Sequence, residues 1–114
     1  MTAAAQPRVR FHKAIELGNL ALAETSAREM GVVSLEEALE LVALIAQKDP
    51  FRHGRAGARW IRRYLDENTK AGLDDVAFVA GCLAALGGRE HGTALTALRA
   101  VSKVASTRRA LPAT

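Results

Sequence analysis

The sequence predicts an all-α domain: six helices forming three helical hairpins, in a compact bundle or a short solenoid-like array. Three observations carry that prediction. Aromatics make up 4% of the 114 residues and hydrophobic residues 49%, so the core must be built from Leu, Ala, Val and Ile, as packed helices are. Proline stands at positions 7, 50 and 112; two of these fall where a helix would begin, and no segment reads as a run of strands. Finally, residues 35–62 shifted by 38 positions land without a gap on residues 73–100. Leu35 then meets Leu73, Glu36 and Glu37 meet Asp74 and Asp75, Ala46 meets Ala84, and His53 with Gly54 meets His91 with Gly92. A period of this size with two helices per unit marks helical-hairpin repeats, in which each hairpin buries its apolar face against a neighbour. Two ordinary amphipathic hairpins in a chain rich in alanine and leucine would align in the same way.

Each helix has its own signals. Pro7 suits a first helical position, and Phe11, Ala14 and Ile15 form one face before Gly18 and Asn19 stop the helix. Leu20, Ala23, Ala27 and Met30 continue at helical spacing as far as Gly31. Ser34 followed by Glu37 opens the third helix as a capping box, and Leu35, Ala38, Leu39, Val42, Ile45 and Ala46 make its buried stripe. Asp49 and Pro50 end that helix and begin the fourth, because the residue before proline is pushed out of helical geometry. Trp60, Ile61, Tyr64 and Leu65 form the inner arc of the fourth helix, which runs to about Asn68.

The fifth helix, over residues 74–86, has acids in its first turn and is otherwise apolar or small all round, which predicts central burial or cover by a partner subunit. Gly87 and Gly88 stop it. Ala94, Ala97, Leu98, Val101, Val104 and Ala105 then face inward on the sixth helix. The expected organisation is a disordered N-terminus over residues 1–6, one helical-hairpin domain over 7–106 and a disordered tail over 107–114.

Cys82 is the single cysteine and sits in an apolar segment, so no disulfide can form within one chain and a reducing cytoplasm is expected. Residues 1–7 lack the apolar run of a signal peptide or anchor, and the longest uncharged stretch, residues 76–88, is short of the roughly 20 residues that span a membrane. A soluble cytoplasmic protein is the expectation.

Several segments carry a resemblance: the run from Phe11 to Ala14, that from Gly18 to Glu24, that from Ala27 to Gly31, and Ala58 with Arg59 and Trp60. In this arrangement the chain resembles small all-helical proteins of unknown function that are widespread in high-GC bacteria. The resemblance covers residues 11–88. It implies a helical fold and no activity, ligand or functional residue.

Charge is the sharpest functional sign. Between Phe51 and Arg63 there are five arginines and no acid. Arg52, Arg55, Arg59 and Arg62 fall on one side of the fourth helix with Arg63 at the margin, opposite the buried arc that holds Trp60. A formal charge of +4 and guanidinium chemistry suit phosphate, so a nucleic-acid-binding helix pair is one reading. Against it, Glu36, Glu37 and Glu40 before the stripe and Asp66, Glu67, Asp74 and Asp75 after it can balance the arginines within the fold. The turn at Asp49 also lacks glycine, and no aromatics interleave the basic residues for base stacking.

His53 and His91 hold matching places and adjacent hairpins can bring them together, but no histidine pair has ligand spacing on one helix, and His-Gly is also simple turn chemistry. Neither a phosphate-cradling glycine loop nor a nucleophile signature is present. The reading is therefore a non-enzymatic module without cofactor or metal that binds an unidentified protein or itself, with Arg52, Arg55, Arg59, Arg62, Arg63 and Trp60 as the candidate surface. Nucleic-acid binding through the arginine face is the alternative.

Overall fold

A computed structural model of the protein describes residues 6–110, and among them six α-helices and no strand. In chain order they are α1 (Pro7–Leu17), α2 (Leu20–Met30), α3 (Leu35–Lys48), α4 (Pro50–Glu67), α5 (Leu73–Ala85) and α6 (His91–Ala110). Packing is most extensive within the consecutive pairs α1 with α2, α3 with α4 and α5 with α6, so the helices are three hairpins. The assembly is flat, 51 × 39 × 20 Å.

Local chemistry explains the breaks. Gly18 adopts φ +68° and ends α1, its amide bonding back to Ile15, while the Asn19 side chain accepts from the Leu22 amide to start α2. At Ser34 the full capping box is present: the hydroxyl accepts from the Glu37 amide at 3.0 Å and the Glu37 carboxylate accepts from the Ser34 amide at 3.0 Å. Asp49 alone separates α3 from Pro50, the first residue of α4. Asp75 repeats half of the capping device, its carboxylate accepting from the Gly72 amide at 2.8 Å.

α3 is the spine. It packs against α1, α2, α4 and α6, and it divides its apolar residues between two cores. Leu44 and Leu41 meet Phe11, Ala14 and Ala23 of the first hairpin. Leu35, Leu39, Val42 and Ala46 meet Trp60, Tyr64, Val79, Leu83, Leu86 and Leu98 of the other two. Phe11, Leu39 and Leu98 are fully buried, each removal of such a side chain from water being worth about 1.5–3 kcal/mol.

Central burial therefore falls to α3 and not to α5. In α5 the buried residues are Val79 and Leu83, while Leu73 and Phe78 are exposed, as are Ala77, Ala80 and Ala84. The apolar character of α5 is largely alanine and glycine, whose exposure carries little penalty, so the helix can lie at the edge of the array.

The sixth helix continues to Ala110, past residue 106, because Ala105 is buried, Ser106 bonds to Glu36, and no glycine or proline interrupts the chain there. Residues 111–114 of the tail expected at 107–114, and residues 1–5 of the N-terminus expected at 1–6, lie outside the described residues. No helix among the described residues is long and apolar enough to cross a membrane.

Candidate interaction groove

The five arginines of α4 divide into two groups once their partners are known. Arg52 is held by two acids through three hydrogen bonds. Its guanidinium forms a two-point pair with Glu24 of α2 at 2.7 and 2.9 Å and donates to Asp49 at 2.7 Å. The hydrogen bond from Arg52 in turn holds the Glu24 carboxyl below its ordinary range. Arg63 pairs with Glu67 one turn on, at 2.6 Å. Arg55, Arg59 and Arg62 are exposed and have no ion-pair partner among the described residues.

The acids of α3 do not balance them. Glu37 is 8% exposed and lies under Arg8, which donates to it at 2.8 and 3.3 Å, and against His12 at 3.0 Å. Burial alone would raise the Glu37 carboxyl, but the bonds from Arg8, the Ser34 amide, His12 and the Ser34 hydroxyl outweigh it and lower it to about 2. Glu40 forms a two-point pair with Arg99 of α6 at 2.8 Å for each bond, and Glu36 accepts from Ser106 at 2.6 Å. These acids point toward α1 and α6, so α4 keeps three uncompensated guanidinium groups.

Two of the three line a groove. Its volume is about 560 Å³, its floor is α3 through Ala38, Leu41, Val42 and Ile45, and one wall is α4 through Arg55, Ala56, Arg59 and Trp60. Glu24 of α2 stands at the opposite edge. The gap arises from the order of helices: α2 and α4 each pack on α3, but their backbones do not approach each other. The Arg52 to Glu24 pair crosses between them. Phe51, fully exposed at 101%, lies at the same end.

Trp60 is core as well as wall. It is 2% exposed, its indole N–H donates to the Leu35 carbonyl at 3.0 Å, and its ring stacks on Tyr64 with centroids 5.7 Å apart. It is the only tryptophan in the chain, so its emission reports on this groove. Arg62 does not line the groove; it lies two turns beyond Arg55 along the same side of the helix.

His53 and His91 do converge, as helix caps. The His53 Nε2–H donates to the Leu83 carbonyl and the His91 Nδ1–H to the Leu86 carbonyl, each at 2.7 Å, so both rings satisfy acceptors at the C-terminal end of α5. The carbonyl can only accept, which fixes the protonated nitrogen of each ring. Among the described residues no group of three His, Cys, Asp or Glu side chains gathers as a metal set.

The floor residues Ala38 and Leu41 were absent from the sequence-derived surface. The signal was available: Leu41 to Ala46 is an unbroken apolar run, wider than one buried face requires, and the excess is the groove.

Compared with protein-family models, with curated proteins and with solved structures, the chain finds no significant match.

Proposed function

We propose that this protein is a non-catalytic helical interaction module, cytoplasmic in keeping with its lone cysteine, that holds a partner protein in the groove above α3. The observation that carries the reading is the conjunction of an uncovered apolar floor with unpaired cations at its lip. Leu41 and Ala38 remain half-buried between α2 and α4, and Arg55 and Arg59 stand beside them without acids. Helix pairs of this kind take up segments by laying apolar side chains into such a groove.

A display library of short helical peptides without tryptophan tests the reading. Peptides enriched by the wild-type protein should shift Trp60 emission, and Ala38→Glu, which places a charge on the floor, should enrich none of them. Enrichment that survives Ala38→Glu, or peptides that leave Trp60 unchanged, would place the docking surface elsewhere.

Arg55, Arg59 and Arg62 form a continuous unpaired stripe, which supports nucleic-acid binding as a second reading. It requires affinity for mixed duplex and single-stranded probes that falls steeply with salt and disappears with Gln at all three positions. The apolar floor and the acids Glu24 and Asp49 at one end of the stripe fit that reading less well.

A further inference from the structure

We infer that the occupant of the groove is an acidic amphipathic helix from a different protein, carrying two carboxylates one turn apart beside an apolar stripe. The inference rests on the groove being the docking surface. It goes further in naming the partner's chemistry.

Shape supplies the first argument. The groove is a missing helix position: α3 is flanked by α2 and α4, which do not meet above it. Its length along α4, from Arg52 to Arg63, is about 16 Å at 1.5 Å per residue, room for about three helical turns. An apolar stripe at i, i+3 or i+4, and i+7 covers that length and would meet the half-buried Ala38 and Leu41 and the edges of Val42 and Ile45, which are otherwise core.

Charge supplies the second. Arg55 and Arg59 are one turn apart on the same wall, with their guanidinium groups unpaired. Side chains at i and i+4 are neighbours at about 6 Å. Two Glu or Asp residues spaced one turn apart on a helix lying along α4 match that separation and form charge-assisted pairs whose water is excluded as the helix docks. A basic or neutral helix would leave the same two cations without partners.

A second copy of this chain does not supply such a helix. Among the described residues Asp66, Asp74 and Glu90 are the acids without a hydrogen-bond or ion-pair partner. They stand at the end of α4, at the start of α5 and before α6, so no helix offers two free acids one turn apart. The partner is a different protein.

The test uses the full chain and three synthetic helical peptides of about 14 residues that share one leucine stripe, lack tryptophan and differ at an i, i+4 pair carrying Glu, Gln or Lys. Titration is read by Trp60 emission and by calorimetry. The Glu peptide should bind about 25-fold more tightly than the Gln peptide, at roughly a factor of 5 per charge pair, and the Lys peptide more weakly still. Arg55→Gln with Arg59→Gln should bring the Glu peptide down to the affinity of the Gln peptide. Arg55→Glu with Arg59→Glu should reverse the order and favour Lys. Both arginines are exposed and unpaired, so circular dichroism should show these variants folded.

Equal binding of all three peptides overturns the acidic partner and leaves the groove standing as a docking site. Absence of binding by every peptide overturns both. Tight, salt-sensitive binding of a short duplex, lost in the Gln variant while the Glu peptide does not bind, overturns the inference in favour of nucleic acid. A dimer by sedimentation that Arg55→Glu with Arg59→Glu dissociates overturns it in favour of self-association.

Discussion

Replacing Glu37 with glutamine should remove a pH-dependent part of the stability of this fold. The side chain is almost fully buried at the start of α3, where Arg8 and His12 of α1 reach it and the Ser34 amide donates to it. Its carboxyl titrates at about 2 instead of the ordinary 4.5. That lowering, from 4.5 to about 2, corresponds to about 3.4 kcal/mol. Arg8 and His12 are themselves more than half exposed, and solvent screening reduces the figure to about 2 kcal/mol.

The sign follows from the direction of the shift. A carboxyl lowered in the folded state binds its proton more readily when unfolded, so its contribution is complete above about pH 4.5 and is lost as pH falls through about 2. Urea denaturation followed by circular dichroism at a series of pH values provides the measurement. Wild type should lose about 2 kcal/mol more than Glu37→Gln between about pH 5 and pH 2, and the two should converge at the acid end. Parallel pH profiles for the two proteins would refute the argument, because they would mean that Glu37 is no better solvated by its partners in the fold than by water.

Two further predictions concern packing. A Cβ added at Gly87 would lie 3.1 Å from Nδ1 and 3.2 Å from Cε1 of His53, so Gly87→Ala should displace the ring from the Leu83 carbonyl and lower stability by about 1 kcal/mol; in a His53→Ala background most of that loss should vanish, and a loss that persists unchanged would point to the backbone instead. Ser26 is 1% exposed and its hydroxyl has no hydrogen-bond partner among the described residues, so Ser26→Ala should leave stability unchanged or raise it by about 1 kcal/mol, and a loss above about 1 kcal/mol by urea denaturation would mean that the hydroxyl is bonded in solution.

The helix boundaries were legible because their causes are local. Gly18 with Asn19, Ser34 with Glu37, and Asp49 with Pro50 act within four residues of themselves, and each appears in the structure as the sequence implies. The balance of charge was not legible, because it depends on partners far along the chain. Glu24 lies 28 positions from Arg52, Glu40 59 from Arg99 and Glu36 70 from Ser106. Nothing in the neighbourhood of Glu36, Glu37 and Glu40 indicates that α1 and α6 take them, leaving Arg55, Arg59 and Arg62 unpaired. Central burial, one of the two expectations for α5, falls to α3 for a related reason. Both helices lack a broad polar face, but α3 is rich in Leu, Val and Ile where α5 is rich in Ala and Gly, and side-chain size decides which of the two is worth burying.

The 38-residue correspondence acquires a physical boundary from these contacts. Equivalent positions do equivalent work at the helix starts: Glu37 and Asp75 each accept from the amide three residues before them. Farther on the copies diverge. His53 reaches across to Leu83 of the next hairpin, whereas His91 bonds to Leu86 only five residues before it, so matched histidines serve one helix end from two sides instead of serving two hairpins alike. The divergence is complete on the groove wall, where Arg55, Arg59 and Arg62 correspond to Thr93, Ala97 and Ala100. A hairpin needs its caps and its apolar spacing to fold, and those recur. It does not need exposed unpaired arginines, which add repulsion without packing, so their confinement to α4 beside an open apolar floor is the part of the sequence that folding leaves unexplained and that the proposed binding of an acidic helix would explain.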